Sequence, residues 1–242
     1  MSRDPLAPLV ALPGVEEAVR RARDAVVGLH NHPVNRTGWA ASAAEAALRA
    51  ARASAALDGA SLAPAGADDV VTDPVLAGAV RAAEATGRLL GSWRTAPLQA
   101  LARLHVLAGA DLTDDELGRP VRGTERLALL ADLVTGATSA PAPVLVAVVH
   151  GELLALSPFP SANGVVARAA ARLAAIGSGL DPRGLAVPEV GHLRAGAAYR
   201  EAAQGFAQGT PDGLAAWIRH CCEQWVAGAR EGRSIADARS TK

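Results

Sequence analysis

Ser157-Pro158-Phe159-Pro160-Ser161-Ala162-Asn163-Gly164-Val165-Val166-Ala167-Arg168 separates two segments that read as helices. Before it, Val144 to Leu156 is apolar on nearly every side, so a helix there is expected to be buried all round. After it, Val165, Ala169, Leu173 and Ile176 recur at helical spacing and define one face of a second helix. Pro158 and Pro160 cannot continue the first helix. Asn163 is suited to cap the second, and Gly164 lets another group approach the backbone closely. The local prediction is helix, tight polar loop, helix. Free N–H groups at the positive end of the second helix make this loop an anion-accepting element. A plainer reading accounts for the same residue types: a helical hairpin needs Pro, Asn and Gly simply to turn.

The chain has 242 residues, enough for one large domain or a domain with an appendage. Its hydrophobic fraction, 50%, supports a substantial core, and with aromatics at only 3% that core must be built largely of alanine and leucine. Lys+Arg and Asp+Glu both number 24, and a chain without net charge gives no support to a nucleic-acid role. Every apolar run is interrupted before the ~18 residues that a membrane span requires. Met1-Ser2-Arg3-Asp4-Pro5 lacks the basic-then-apolar shape of a secretory signal. Cys221 and Cys222 are adjacent and are expected to be free thiols in a reducing compartment, with the cytoplasm as the expected location.

The remaining pattern is helical throughout, and an all-α bundle around a buried central helix is the expected fold class. Residues 1–14, with three prolines, read as an irregular arm. Val15 to Leu29 reads as a helix with Glu16 and Glu17 at its positive end. His30-Asn31-His32-Pro33 closes it; two histidines two apart suit a metal, yet no third ligand is spaced to join them, and a helix end is the better reading. Ala40 to Leu57 forms an alanine-rich helix stopped by Gly59, followed by a linker to Asp73. Asp73-Pro74 starts a helix to Leu90, and Thr95-Ala96-Pro97 starts another through Leu104 and His105. His105 is expected to pack within its helix, as is His150 in the buried one. Asp111 to Gly123 is polar and broken; Thr124 to Val134 and Leu193 to Ala207 are helical. In the last helix Leu214, Trp217, Ile218, Cys221 and Trp225 make one apolar stripe, which explains Cys221 by packing rather than by metal or thiol chemistry. The expected organisation is an N-terminal helical arm, residues 1–62, a main helical domain, 74–230, and a flexible tail, 231–242.

The 157–168 stretch resembles the active-site motif of the Fic (Fido) family, His-x-Phe-x-Asp/Glu-Gly-Asn-Gly-Arg-x-x-Arg. Pro158, Phe159, Asn163, Gly164 and Arg168 agree with it. Ser157 stands at the position of the catalytic histidine, Ser161 at that of the acidic metal ligand, Ala162 replaces a loop glycine and Val165 replaces the first arginine. Upstream, Ser54-Ala55-Ala56-Leu57-Asp58-Gly59 resembles the family's inhibitory motif, Ser/Thr-x-x-x-Glu-Gly/Asn, with Asp58 in the glutamate position. The Leu-x-x-Leu-His pattern ending at His105, the Tyr199 helix with its Gly-x turn, and the final Trp helix follow in the family's order.

The resemblance implies a Fic-like helical domain and, for an intact motif, transfer of AMP from ATP to a hydroxyl of a protein target. It implies nucleotide contacts at Phe159, Asn163, Gly164 and Arg168, and an inhibitory pairing of Asp58 with Arg168, aided by Ser54 and Gly59. ATP and Mg2+ are the implied cofactors. Serine is no general base near neutral pH, and losing a base costs ~10²–10⁴-fold. A serine hydroxyl is a poor sole ligand for a hard dication, and valine offers a phosphate nothing in place of a guanidinium. The expectation is therefore a degenerate Fic-domain protein without AMP transfer, retaining phosphate binding or an interaction with a protein partner. The alternative is an active nucleotidyltransferase with altered catalytic residues, Ser157 itself accepting the group. Asp58 also reads simply as a surface acid ahead of a helix-ending glycine. The family's β-hairpin flap is expected to be very short or absent in the 111–123 region.

Overall fold

The computed structural model describes residues 4–61, 72–113 and 116–240. It runs α1 (Ala7–Val10), α2 (Val15–His30), α3 (Pro33–Thr37), α4 (Trp39–Leu57), α5 (Pro74–Thr95), α6 (Pro97–Gly109), α7 (Thr124–Asp132), a π turn (Leu133–Ala137), α8 (Ala142–Leu156), α9 (Asn163–Gly177), α10 (Pro188–Ala195), α11 (Ala197–Gln208) and α12 (Pro211–Ser240). No strand occurs among the described residues, so the fold is all-α. No described helix is long and apolar enough to cross a membrane. Most of the 60–73 linker lies outside the described residues.

Local chemistry starts several of these helices where the sequence predicts. The Asp73 carboxylate accepts from the Leu76 N–H at 2.9 Å, a side-chain cap ahead of Pro74. Pro97 opens α6 in the same manner. At the centre, α8 buries nine of its residues on all sides and packs against α2, α9, α11 and α12. Trp217 of α12 donates its indole N–H to the Ala147 carbonyl at 2.8 Å, fixing α12 across α8. On the other side α9 is clasped by α4, α5, α6 and α8.

Several expectations are corrected. α9 is apolar on more than one face: Val166, Ala167, Ala170, Ala171, Ala174 and Ala175 are buried too, because four helices surround it. Residues 1–14 are not wholly irregular, since α1 forms there and Leu6 enters the core. The Leu193–Ala207 segment is two helices broken at Gly196, whose φ of +55° ends α10 after one amide bond to His192. Residues 231–240 are not a frayed tail. They continue α12, with Ile235 buried against Ala46, Ala50 and Val187, and Glu231 paired with Arg49 at 2.7 Å. Helices of the N-terminal arm thus share one hydrophobic core with the rest: Val26 and Leu29 of α2 and Ala51 and Ala55 of α4 belong to it.

Candidate functional site

The loop between α8 and α9 is held by its own residues. Ser157 ends α8 at φ +43°, and its hydroxyl donates to the Leu154 carbonyl at 3.0 Å. Phe159 turns inward, 2% exposed, and stacks on His105 with ring centroids 4.3 Å apart and planes 8° apart. Asn163 does not cap α9. It is the first helical residue, and its amide reaches back to close the loop: Oδ1 accepts from the Phe159 N–H at 2.9 Å and Nδ2 donates to the Phe159 carbonyl at 2.7 Å. Ala162 takes the capping position at φ +52°, a left-handed conformation that glycine adopts freely and alanine does not. The loop is thereby rigid, and the start of α9 is left without a side-chain cap of its own.

Asp58 supplies the missing negative charge from another helix. It sits at the C-terminal end of α4, and a Cβ placed on Gly164 would lie 2.3 Å from Asp58 Oδ1 and 2.5 Å from Oδ2. The carboxylate therefore covers the backbone of Gly164 in the first turn of α9, the place a helix dipole offers to an anion. Its Oδ1 also accepts from Arg168 Nη2 at 2.7 Å. The sequence-predicted ion pair of Asp58 and Arg168 is present, with Arg168 3% exposed and Asp58 25% exposed. Arg168 donates further to Ser54: Nε to the hydroxyl at 2.8 Å and Nη2 to the carbonyl at 2.9 Å. Gly59, at φ +96°, turns the chain away immediately after Asp58.

Behind Arg168 lies a buried aromatic cluster. Arg168 Nη1 donates to the Tyr199 hydroxyl at 3.4 Å. That hydroxyl is then free to donate to His150 Nε2, 2.9 Å away, which places the imidazole proton on Nδ1. His192 and His220 share a hydrogen bond at 3.2 Å. Burial works against the Arg168 charge, but Tyr199 and the Asp58 carboxylate outweigh it and hold its pKa above the usual value. Burial, then the Arg168 charge and His220, push His150 well below the usual imidazole range. Burial drives His192 the same way, helped by the neighbouring His150, His220 and Arg168. His150 is thus a core imidazole on the far side of Arg168 from the loop.

One turn beyond Arg168, Arg172 is buried with Glu189, their closest atoms 3.4 Å apart, and donates to the Gly184 and Ala186 carbonyls. Sequence reading missed Arg172, Glu189 and His192. A cation four residues after Arg168 in an alanine-rich helix is the one signal that could have shown Arg172. The cavities touching Arg168 measure ≈ 10 and ≈ 20 Å3, room for about one water each.

Magnesium does not fit these residues. The acidic position holds Ser161, whose hydroxyl faces His105 Nε2 at 3.4 Å, and no group of three or more metal-binding side chains occurs among the described residues. Val165 is 3% exposed and points into the core, so the first arginine position contributes no charge to the loop.

The described residues form an all-α bundle in which a rigid loop leads into a buried helix, with the Asp58 carboxylate of a preceding helix on that junction. Among solved structures the chain is similar to a Fic family protein from Desulfovibrio desulfuricans G20, with a TM-score of 0.72 and 21% identity, over 92% of this chain and 74% of that one. It is also similar to Fic-1 from C. elegans, with a TM-score of 0.74 and 16% identity, over 97% of this chain and 76% of that one. The chain has the Fic fold. No family model matches the sequence, and no curated protein matches it.

Proposed function

We propose that this protein is a Fic-fold protein that does not transfer AMP and that keeps an anion-accepting helix start closed by its own Asp58. The observation that carries the reading is the hydroxyl of Ser157. At the position where the transfer needs a proton acceptor, its proton is committed to the Leu154 carbonyl. The Asp58 carboxylate over Gly164 supports the second half, because it mimics the charge a phosphate would bring. What remains at the site binds and positions; it does not move a proton. An interaction role, with the closed loop as a rigid surface for a protein partner, agrees with this arrangement.

Incubation with labelled ATP and Mg2+ tests the reading. The wild-type chain and Ser157→Ala are expected to take up no label, on themselves or on added protein. Label on the wild type that disappears in Ser157→Ala would establish instead a transferase whose serine accepts the group. Calorimetry with ATP tests the closed helix start: Asp58→Ala is expected to bind at least ~10-fold more tightly than wild type, since an anion no longer competes for Arg168. Equal affinities would remove Asp58 from the site. Ser157→His with Ser161→Glu, with and without Val165→Arg, asks whether activity returns; the inward direction of position 165 makes the arginine costly to restore.

A further inference from the structure

His105 is wholly buried on α6, and both its ring nitrogens are engaged. Its Nδ1 lies 2.9 Å from the Gly118 backbone nitrogen. A backbone N–H can only donate, so Nδ1 presents its lone pair and the neutral ring carries its proton on Nε2. That nitrogen faces Ser161 Oγ at 3.4 Å, and the ring face lies on Phe159. One imidazole therefore joins residues 116–122 to the motif loop. A second tie runs directly between them, Val121 N–H to the Pro158 carbonyl at 2.8 Å. The segment lies flat on α6: Gly118 is at φ +77°, and a Cβ there would meet Ala102 O at 3.2 Å and Val106 Cγ2 at 3.0 Å. Residues 116–122 form a strap over the loop.

We propose that His105 is a proton-operated latch, which holds the strap across the motif loop while neutral and releases it when protonated. Protonation places an N–H on Nδ1, so two donors confront each other across 2.9 Å where one bond existed. Among the described residues, the charged groups on the neighbouring elements are paired with one another or exposed. Glu116 pairs with Arg119 on the strap, Arg81 of α5 with Asp111, Arg126 of α7 with Glu152 of α8, and Arg168 of α9 with Asp58. Arg103 of α6 and Arg122 of the strap are exposed cations, which oppose a further positive charge. Burial lowers the His105 pKa, so release falls below the ordinary imidazole value of about 6.5. An opened strap uncovers the Pro158 carbonyl, the Phe159 ring edge and the Ser161 hydroxyl. This control of loop access by pH is independent of whether the site binds or transfers a nucleotide.

The test uses the full-length chain labelled with 15N. In wild type, the ring nitrogen shifts of His105 should report the Nε2–H tautomer at about pH 7.5, and the Gly118 and Val121 amides should lose at least ~10-fold protection by about pH 5, after correction for intrinsic exchange. His105→Asn keeps an acceptor near the Nδ1 position without a titrating group, and its strap should stay protected across the range. His105→Phe keeps the stack on Phe159 without the acceptor, and its strap should be open at every pH. Protection in wild type that does not change with pH, or an Nδ1–H tautomer, would overturn the proposal. So would a loss of protection in His105→Asn equal to that of wild type. Should a variant fail to fold, the tautomer and the wild-type exchange profile alone decide the matter.

Discussion

Ala162 holds a backbone conformation that its side chain resists. At φ +52° its Cβ crowds the following carbonyl, and the left-handed region costs an L-residue roughly 1–2 kcal/mol. Glycine at this place removes that cost and adds some unfolded-state entropy in exchange. Ala162→Gly is therefore expected to stabilise the chain by about 0.5–1 kcal/mol, seen as a rise of roughly 1–4 °C in Tm. A fall in Tm would mean that the Ala162 methyl, partly buried against the core, matters more than the strain. Asp58 makes the opposite case. Aspartate is one methylene shorter than the family's glutamate, yet it reaches Arg168 because it sits at the very end of α4, against Gly164. Asp58→Ala leaves Arg168 buried but still bonded to Ser54 and Tyr199. With Asp58 itself 25% exposed, the loss is expected to be about 1–2 kcal/mol, below the ~3–5 kcal/mol of a fully buried pair. Denaturant midpoints of wild type and variant measure it, and an unchanged midpoint would show the pair to be screened by solvent.

α12 shows what single-helix reading cannot see. Its first half carries a visible apolar stripe, and Leu214, Trp217, Ile218, Cys221 and Trp225 are buried or partly buried as that stripe predicts. Its last turns look polar, yet Gly232, Ile235 and Ala236 are buried there, where Gly232 and Ile235 meet α2, α4 and the start of α10. Their partners come from far along the chain, so no local periodicity reveals them. The same applies to α9, whose polar-looking Arg168 and Arg172 are buried because Asp58 and Glu189 arrive from other helices. Starts were legible where a cap or proline marked them, as at Asp73-Pro74 and Pro97. Gly196 was not, because a glycine inside a helical pattern is tolerated as often as it breaks one. Ile235→Ala is expected to cost roughly 2–3 kcal/mol by leaving a cavity between α12, α4 and α10. Because Ala46 and Ala50 line that cavity, exchange should also rise at Asp58 on the same helix. Urea unfolding and hydrogen exchange measure the two effects; a loss of under ~0.5 kcal/mol would mean that residues 231–240 dock without contributing to the core.

The site's polar contacts across the molecule divide in the same way. Asp58, Ser54 and Arg168 were readable because their spacing matched a known pattern, whereas the imidazoles behind them carry no pattern at all. His150, His192 and His220 come from α8, α10 and α12, and only the bundle brings the His192 ring within 5.1 Å of His150 and 5.3 Å of His220. Their burial gives the fold a pH response. Burial lowers the pKa of His150, His192 and His220, as it does that of His105, so the folded state prefers each ring neutral. The unfolded chain titrates them near 6.5, so the stability they confer is complete above that pH and is lost as pH falls below it. A ring that stays neutral in the fold makes stability fall as pH drops through the unfolded value, towards a limiting slope of ~1.4 kcal/mol per pH unit. Asp4 does not mask this, because its carboxyl, held far below the usual range by bonds to Ser139 and Thr138, acts only below its unfolded value of 3.8. Urea unfolding at about pH 7.5, 6.5 and 5.5 should therefore show a shallow first step and a steeper second one. His150→Leu should reduce the second slope by about one proton, at some loss of stability from the Tyr199 hydroxyl left without its acceptor. A stability curve that stays level from pH 7.5 to 5.5 would mean that the rings gain protons as readily in the fold as outside it, and the buried cluster would then have no hold on the equilibrium.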